Sequence, residues 1–310
     1  MAPALSVVIP VHDRGDLLRR CLAALDSWQW PGESECVVVD DGSRDPEVAA
    51  VRRERSDLRW LAHPDARGFS AAVNAGLAAS RGEILLLLNS DAEPLAAGAK
   101  ALAERFAAPS PPGARPLGAV AATLRYPDGR PQWSGGREPT LAWLVALACG
   151  WGRGLRGARP SGSAGGEGGW APAAALALSR AAWNATGPFD ERFQHYAQDL
   201  DYGHRLRAAG FRIVVEPLFP VLHHLGGSAG ADADGGQRLD RLWSDLVTWI
   251  AKARGADAAR AAARALVWGA RLRKGRLLGR ETAAERARIA VARTAAEAAA
   301  AAAATAPGAG

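Results

Sequence analysis

The chain has 310 residues, 48% apolar and 23% charged, which suits one large α/β domain with an appendage and is ordinary for a soluble globular protein. Its longest apolar run past the N-terminus, Leu141 to Gly150, is about half of a bilayer span, so no transmembrane helix is expected. The net charge of +6 is unevenly placed: residues 1–236 carry 24 Lys and Arg against 26 Asp and Glu, whereas residues 237–310 carry 14 against 6. The basic character therefore belongs to the tail, not to the body of the protein.

Met1 to Pro10 has no basic segment ahead of its apolar residues, so it reads as a strand and not as a signal peptide. Ser6 to Val11 is the strand proper. Asp16 to Trp28 follows as a helix, with Leu17, Leu18, Cys21, Leu22 and Leu25 on one face. Cys36 to Val39 is a second strand ending in the turn Asp40-Asp41-Gly42-Ser43. Asp45 caps a helix to Arg55, with Pro46 at its first position. Leu58 to Ala62 is a weak strand and Ser70 to Ser80 an Ala-rich helix. Glu83 to Leu88 is a strand, apolar throughout from Ile84 and of the kind buried on both faces, and Leu95 to Phe106 is helical. Strands alternating with helices predict an α/β, Rossmann-like, mostly parallel sheet with helices on both faces. Right-handed crossovers put the strand ends along one edge, where such sheets bind ligands. The acidic turns after Val39 and after Leu88 then face one crevice.

Residues 108–118 and 152–169, rich in Pro, Gly, Ser and Arg, are read as loops, the second as a lid or insert. Ordered structure returns between Trp170 and Gly227. Cys21, Cys36 and Cys149 lie far apart without metal-binding spacing, and are expected as reduced thiols of a cytosolic protein.

Several residues carry chemistry or serve plain structure. Asp91, just past a buried strand, suits a metal ligand or a helix cap. Asp40-Asp41 is a metal-competent pair or simply a turn. Arg67 to Asn74 is a Gly turn entering a helix, a place that can receive phosphate or ribose. Asp199 and Asp201 fall in the first turn of a helix that stops at Gly210, so one of them at most faces a cleft. His223-His224 stands beside Gly226-Gly227 and can ligate metal.

The order of these segments is more telling than any one of them. SVVIPVHDR, VVVDDGS, RGFSAAVNAG, LLLLNSDA, GPFDERF, QDLDYGHRLRAAGFRI and HHLGGS succeed one another across residues 5–230. This succession resembles the family 2 glycosyltransferases of GT-A fold, in their rhamnosyltransferase-like branch. The resemblance implies an inverting transfer of a sugar from a dTDP- or UDP-sugar, dTDP-rhamnose among the candidates, to a hydroxyl of a glycan or lipid-linked acceptor in cell-surface polysaccharide synthesis. It implies Mn2+ or Mg2+ as cofactor. By position, Pro10 borders the nucleobase, Asp41 hydrogen-bonds a uracil or thymine, and Gly68 and Asn74 shape the nucleoside pocket. Asn89 and Asp91 occupy the two-acid metal motif, with Asp91 the ligand, and one of His223 or His224 completes the metal site. Asp199 is the general base. Three residues depart from the pattern: Asn89 replaces an acid, Gln198 replaces the Glu before the base, and Pro172 stiffens a loop that normally holds a Gly-Ala turn. The latter two motivate a second reading, a non-catalytic nucleotide-sugar-binding protein. A nucleotidyltransferase is a third, disfavoured because Val11 to Gly15 lacks a Gly-rich basic signature.

The expected organisation is a catalytic domain over residues 1–236, a basic amphipathic helical region over 237–294 and an Ala-rich, disordered tail over 295–310. Leu239, Leu242, Trp243, Leu246, Trp249 and Ile250 make an apolar helix face, and Leu266 to Leu278 is more basic. This region either packs on the catalytic domain or a second subunit, or attaches the protein peripherally to the inner face of an anionic membrane. No nucleic-acid module accompanies the charge.

Overall fold

The structure is a computed structural model that describes residues 4–140, 142–143, 166–193, 197–224 and 235–276, the side chains of 235–243 and 269–276 excepted. The chain divides into two units. One comprises Met1–Arg137, Pro160–Gln194 and Gln198–Ala231, the other Glu138–Arg159, His195–Ala197 and Asp232–Gly310.

In the first unit, β1 (Leu5–Val11), β2 (Ser34–Asp41), β3 (Arg59–His63) and β4 (Ile84–Leu88) pair in parallel in the order β3-β2-β1-β4. Helices α1 (Gly15–Asp26), α2 (Pro46–Glu54) and α3 (Phe69–Ala79) make the crossovers. The sheet continues through β8 (Ala175–Ser179), β6 (Leu117–Arg125) and β9 (Arg212–His223) to β5 (Ala92–Pro94), with β7 (Gly166–Gly168) also on β9. Strand β8 runs antiparallel to β4 and β6, whereas β6 and β9 run parallel to one another, so the sheet is mixed but mostly parallel.

The apolar strands are buried on both faces because each has a helical layer above and below. Leu86 and Leu88 point into a core with Leu18, Cys21, Val48 and Leu102. Leu85 and Leu87 point into the opposite core with Val73, Leu77, Ala182 and Leu206. The first core lies under α1, α2 and α4 (Gly98–Ala107), the second under α3, α5 (Arg180–Thr186) and α6 (Gln198–Ala208). Burying one such Leu side chain contributes about 2 kcal/mol. Pro10 fits within β1 because β4 stops pairing at Val8, so no ladder hydrogen bond is needed from it on that side. Cys21 is buried, which holds its thiol well above its ordinary pKa, and Cys36 is free. Cys149 lies outside the described residues.

Two expectations change. The helix after Asp91 begins at Gly98 with Ala97 as its cap, three residues later than Leu95. Ala92–Pro94 instead forms an edge strand on β9, which removes the helix-cap reading of Asp91. The loop expected over 152–169 ends in strand β7, and its residues 152–165 lie outside the described ones.

In the second unit, α7 (Gly235–Arg254) and α8 (Ala256–Arg276) are separated by Gly255, whose φ of 84° ends the first helix. Leu246, Val247, Trp249 and Ile250 of α7 and Ala259, Ala262 and Ala263 of α8 are buried, while Trp268 is 62% exposed. The side chains of Leu239, Leu242 and Trp243 lie outside the described residues. No helix among the described residues is long and apolar enough to cross a membrane.

Candidate active site

The carboxyl ends of β1, β2 and β4 meet at one edge, and side chains from their loops are stitched together there. Asp13 Oδ1 accepts from the Arg44 and Asp45 N–H groups, Ser43 Oγ accepts from Asp13 N–H, and Asp45 accepts from Gly15 and Glu47 N–H. Asp45 is thereby the N-cap of α2, as its sequence predicts.

Asp41 is 4% exposed and fully engaged. Its Oδ1 accepts from His63 Nδ1–H at 2.7 Å and from Arg67 N–H at 2.9 Å, and its Oδ2 accepts from Gly68 N–H at 2.7 Å. The Gly68 backbone has φ +94°, a conformation L side chains rarely adopt, and this bend turns its N–H toward Asp41 at the start of α3. Asp41 thus pins the loop between β3 and α3, and holds its own carboxylate in one orientation. Asn74 is engaged as well: Oδ1 accepts from Phe189 N–H, and Nδ2 donates to Phe189 O and Glu191 Oε1. Its amide ties α3 to the Phe189–Glu191 segment, so it shapes the site by positioning that segment.

Past β4, Asp91 is 2% exposed and faces His223, 6% exposed, with Oδ1 to Nε2 at 3.4 Å. The pairing of Ala92 with His223 across β5 and β9 sets that approach. The neighbouring His224 points elsewhere, to Glu93 Oε1 at 2.7 Å, which Arg20 also contacts at 2.8 Å. Alternation along the strand explains why two adjacent histidines have different partners. The structure therefore brings His223 to Asp91 and does not bring His224 there.

Asn89 begins the same turn. Its N–H donates to Ala174 O at 2.9 Å, and its Oδ1 is buried with no hydrogen-bond partner in the protein. One residue back along that loop, Ala173 N–H donates to Asp199 Oδ2 at 3.2 Å. Residues Ala173 and Ala174 are thus a two-residue bridge between the acidic turn and Asp199. The donor is the residue after Pro172, so the missing N–H of Pro172 takes nothing from this contact. Gly203 of α6 allows the loop its approach: a Cβ there would lie 2.7 Å from Trp170 Cβ.

Asp199 is a residue of intermediate exposure, yet its Oδ1 is shut off from solvent without a protein partner. Burial raises its carboxyl pKa to about 6, against two lowering backbone hydrogen bonds. Asp201, in the same turn, is spent on Arg205 at 2.8 Å. Of the two carboxylates in that turn, Asp199 alone keeps an unsatisfied buried oxygen.

Two residues here escape sequence reasoning. His63 ends β3 and lies at the same sheet edge that selects Asp41 and Asp91, so the strand-end rule extended to β3 would have found it. Gln132 contacts His223 across 91 positions of sequence and sits in a Pro- and Gly-rich turn, where nothing local marks it.

Against this geometry, a profile of glycosyl transferase family 2 matches residues 6–144. N-acetylglucosaminyl-diphospho-decaprenol L-rhamnosyltransferase of Mycobacterium tuberculosis is 30% identical over 252 residues, covering 75% of this chain and 80% of that protein. The chain belongs to glycosyl transferase family 2. It is similar also to O-antigen biosynthesis protein RfbC of Myxococcus xanthus, 29% identical over 74% of this chain but only 18% of that one. The chain spans less than half the length of several curated relatives it matches. Among solved structures, mannosyltransferase PcManGT from Pyrobaculum calidifontis, in complex with GDP-Man and Mn2+, superposes with a TM-score of 0.57 at 18% identity over 97% of this chain and 87% of that one. That likeness shows a GT-A fold.

Proposed function

We propose that the chain is an inverting glycosyltransferase that moves a sugar from a nucleoside diphosphate sugar to a hydroxyl of a glycan or lipid-linked acceptor. The observation that carries this reading is Asp199: a carboxylate with one buried, unpartnered oxygen and a pKa of about 6, tied through Ala173 and Ala174 to the acidic turn. A base for a sugar hydroxyl must be ionised at working pH and still basic enough to draw a proton, and a value raised toward neutrality meets both needs. Asp199 takes the proton from the acceptor hydroxyl. The oxygen attacks the anomeric carbon as the bond to the diphosphate breaks, and configuration inverts because no enzyme nucleophile intervenes. Asp41, fixed by Arg67, Gly68 and His63, orders the loop that, with Pro10, would border a uracil or thymine.

The residues present fit a divalent cation. Asp91 and His223 supply a carboxylate and an imidazole within reach of one ion, and Asn89 Oδ1 is a buried acceptor without a partner. This mixed set suits Mn2+, with Mg2+ the harder alternative. No group of three His, Cys, Asp or Glu gathers among the described residues, so the donor diphosphate and water would complete the shell. Bound there, the ion would neutralise charge on the leaving diphosphate. His223, not His224, is the histidine assigned this role.

The dTDP- and UDP-sugars, dTDP-rhamnose included, are the donors to try first. A thermal-shift panel of dTDP-, UDP- and GDP-sugars with Mn2+ reads the donor class, because a ligand that binds only the native state raises the midpoint. A panel in which no donor moves the midpoint sinks the reading. The non-catalytic alternative loses one of its motives, since Pro172 spares the contact to Asp199.

For a lipid-linked acceptor, the basic second unit would hold the protein at an anionic membrane. Leu246, Val247, Trp249 and Ile250 of α7 are buried, so the proposed contact falls to α8, where Trp268 is exposed near Arg271, Arg273 and Lys274 in sequence. Co-sedimentation with anionic liposomes should weaken for full-length Trp268→Ala, and equal pelleting would remove the membrane contact.

A further inference from the structure

The segment after β6 turns at Tyr126–Arg130, where Tyr126 N–H donates to Arg130 O, and runs back so that Gln132 N–H donates to Leu124 O at 2.9 Å. This places the Gln132 side chain, 7% exposed, against the end of β9. Its amide is not free to flip. Nε2 donates to His223 O at 2.5 Å and lies 3.4 Å from Arg125 O. A flipped amide would set its oxygen against two carbonyl oxygens, which repel it. Oε1 is therefore the atom facing His223 Nδ1, at 3.0 Å.

An amide oxygen only accepts, so Nδ1 must carry the hydrogen. In a neutral imidazole, that leaves a lone pair on Nε2. Nε2 faces Asp91 Oδ1 at 3.4 Å in a buried corner. Two acceptors set face to face there are stabilised by a cation between them, and partners on the far nitrogen commonly fix a ligating histidine in this way.

We infer that Gln132 is a positioning residue that locks His223 in its Nδ1–H tautomer, keeping Nε2 and Asp91 as a paired acceptor set for a divalent cation. The inference rests on the reading of Asp91 and His223 as cation ligands. It assigns Gln132 no contact with substrate.

The test compares Gln132→Glu with Gln132→Met in the full-length chain. Both remove the donor at His223 O, and only Glu keeps an acceptor at Nδ1. Long-range 1H–15N correlation on histidine-labelled, metal-free protein at pH 8 reads the tautomer directly, with His223→Asn identifying the signal. Mn2+ affinity, by electron paramagnetic resonance with UDP or dTDP present, reads the consequence. The wild type is expected to show the Nδ1–H tautomer. Gln132→Met should lose it and bind Mn2+ about 10–100-fold more weakly, with Gln132→Glu keeping it and binding closer to wild type. An Nε2–H tautomer or an imidazolium in wild type overturns the inference, as does unchanged Mn2+ affinity in Gln132→Met. A wild type that shows the Gln132-dependent Nδ1–H tautomer but binds no Mn2+ with either nucleotide overturns the cation-site reading and leaves the tautomer lock supported.

Discussion

Asp41 and Asp91 are buried carboxylates at the same edge of the sheet, at or just past the ends of two parallel strands that flank β1, and they are built for different work. Asp41 is saturated by two backbone N–H groups and a histidine, all donors. Asp91 faces His223, a residue whose far side is held by an acceptor. Donors around a carboxylate stabilise it as it stands. An imidazole turned to present its lone pair sets a second acceptor beside the same charge. The contrast teaches that an acidic turn after a strand has no fixed role: what surrounds it sets the role.

The comparison can be broken or sharpened by substitution. The largest effect belongs to the third carboxylate, Asp199, against which both are measured. Asp199→Asn should lower kcat about 10²–10⁴-fold, the usual contribution of a positioned base. In wild type, kcat/KM should rise with pH and level off above about 6, as the carboxylate ionises. Stability runs the other way. A raised carboxyl pKa means the native state binds more protons than the unfolded chain between the ordinary value of 3.8 and about 6. That contribution is present at low pH and lost as pH rises through 6. Ionised Asp199 then costs roughly 2–3 kcal/mol. Thermal unfolding at pH 8 should therefore find Asp199→Asn more stable than wild type, with the gap narrowed to about half by pH 5 and closed only below the ordinary value of 3.8. A variant that is both inactive and less stable at pH 8 would point to a structural role for this carboxylate.

Asp91→Ala should come next, abolishing Mn2+-dependent donor turnover by about 10²-fold or more while leaving the first loops intact. Asp41→Asn should reverse that balance. It weakens hydrogen bonds from two backbone N–H groups and His63, and is expected to cost about 1–3 kcal/mol of stability with Mn2+ affinity unchanged. Denaturant unfolding and Mn2+ titration separate the two. The smallest effect is expected of His224→Gln, which disturbs a partly buried pair with Glu93, by about 1 kcal/mol in unfolding and not at all in metal binding.

Much of this arrangement is legible in the sequence wherever structure is local. The β-branched run of Val7, Val8 and Ile9, the cap at Asp45 with Pro46 behind it, and the apolar run at Leu85–Leu88 each declare their element through composition or turn chemistry. The parallel half of the sheet follows from them. Strands β6 and β8 do not declare themselves: both are Ala-rich, and they are strands because they fill gaps between β4 and β9 in a sheet whose register is set by distant pairing. The same holds at the site. Asp41, Asp91 and Asp199 are visible as acids at element ends, but the choice of His223 over His224 depends on the pairing of β5 with β9. The role of Gln132 depends on a turn that brings it across the sheet, and neither contact leaves a local trace.

The central claim is that the Asp91 corner and Asp199 act on one nucleoside diphosphate sugar. Release of nucleoside diphosphate from the donor selected by thermal shift, with Mn2+ and without acceptor, tests it in wild type, Asp91→Ala and Asp199→Asn side by side. Wild type should release the diphosphate slowly, and Asp91→Ala should release none. Asp199→Asn should still bind donor and Mn2+ while failing to transfer to an acceptor. Equal release by wild type and Asp91→Ala, or no release by any of the three with any donor, would contradict the account.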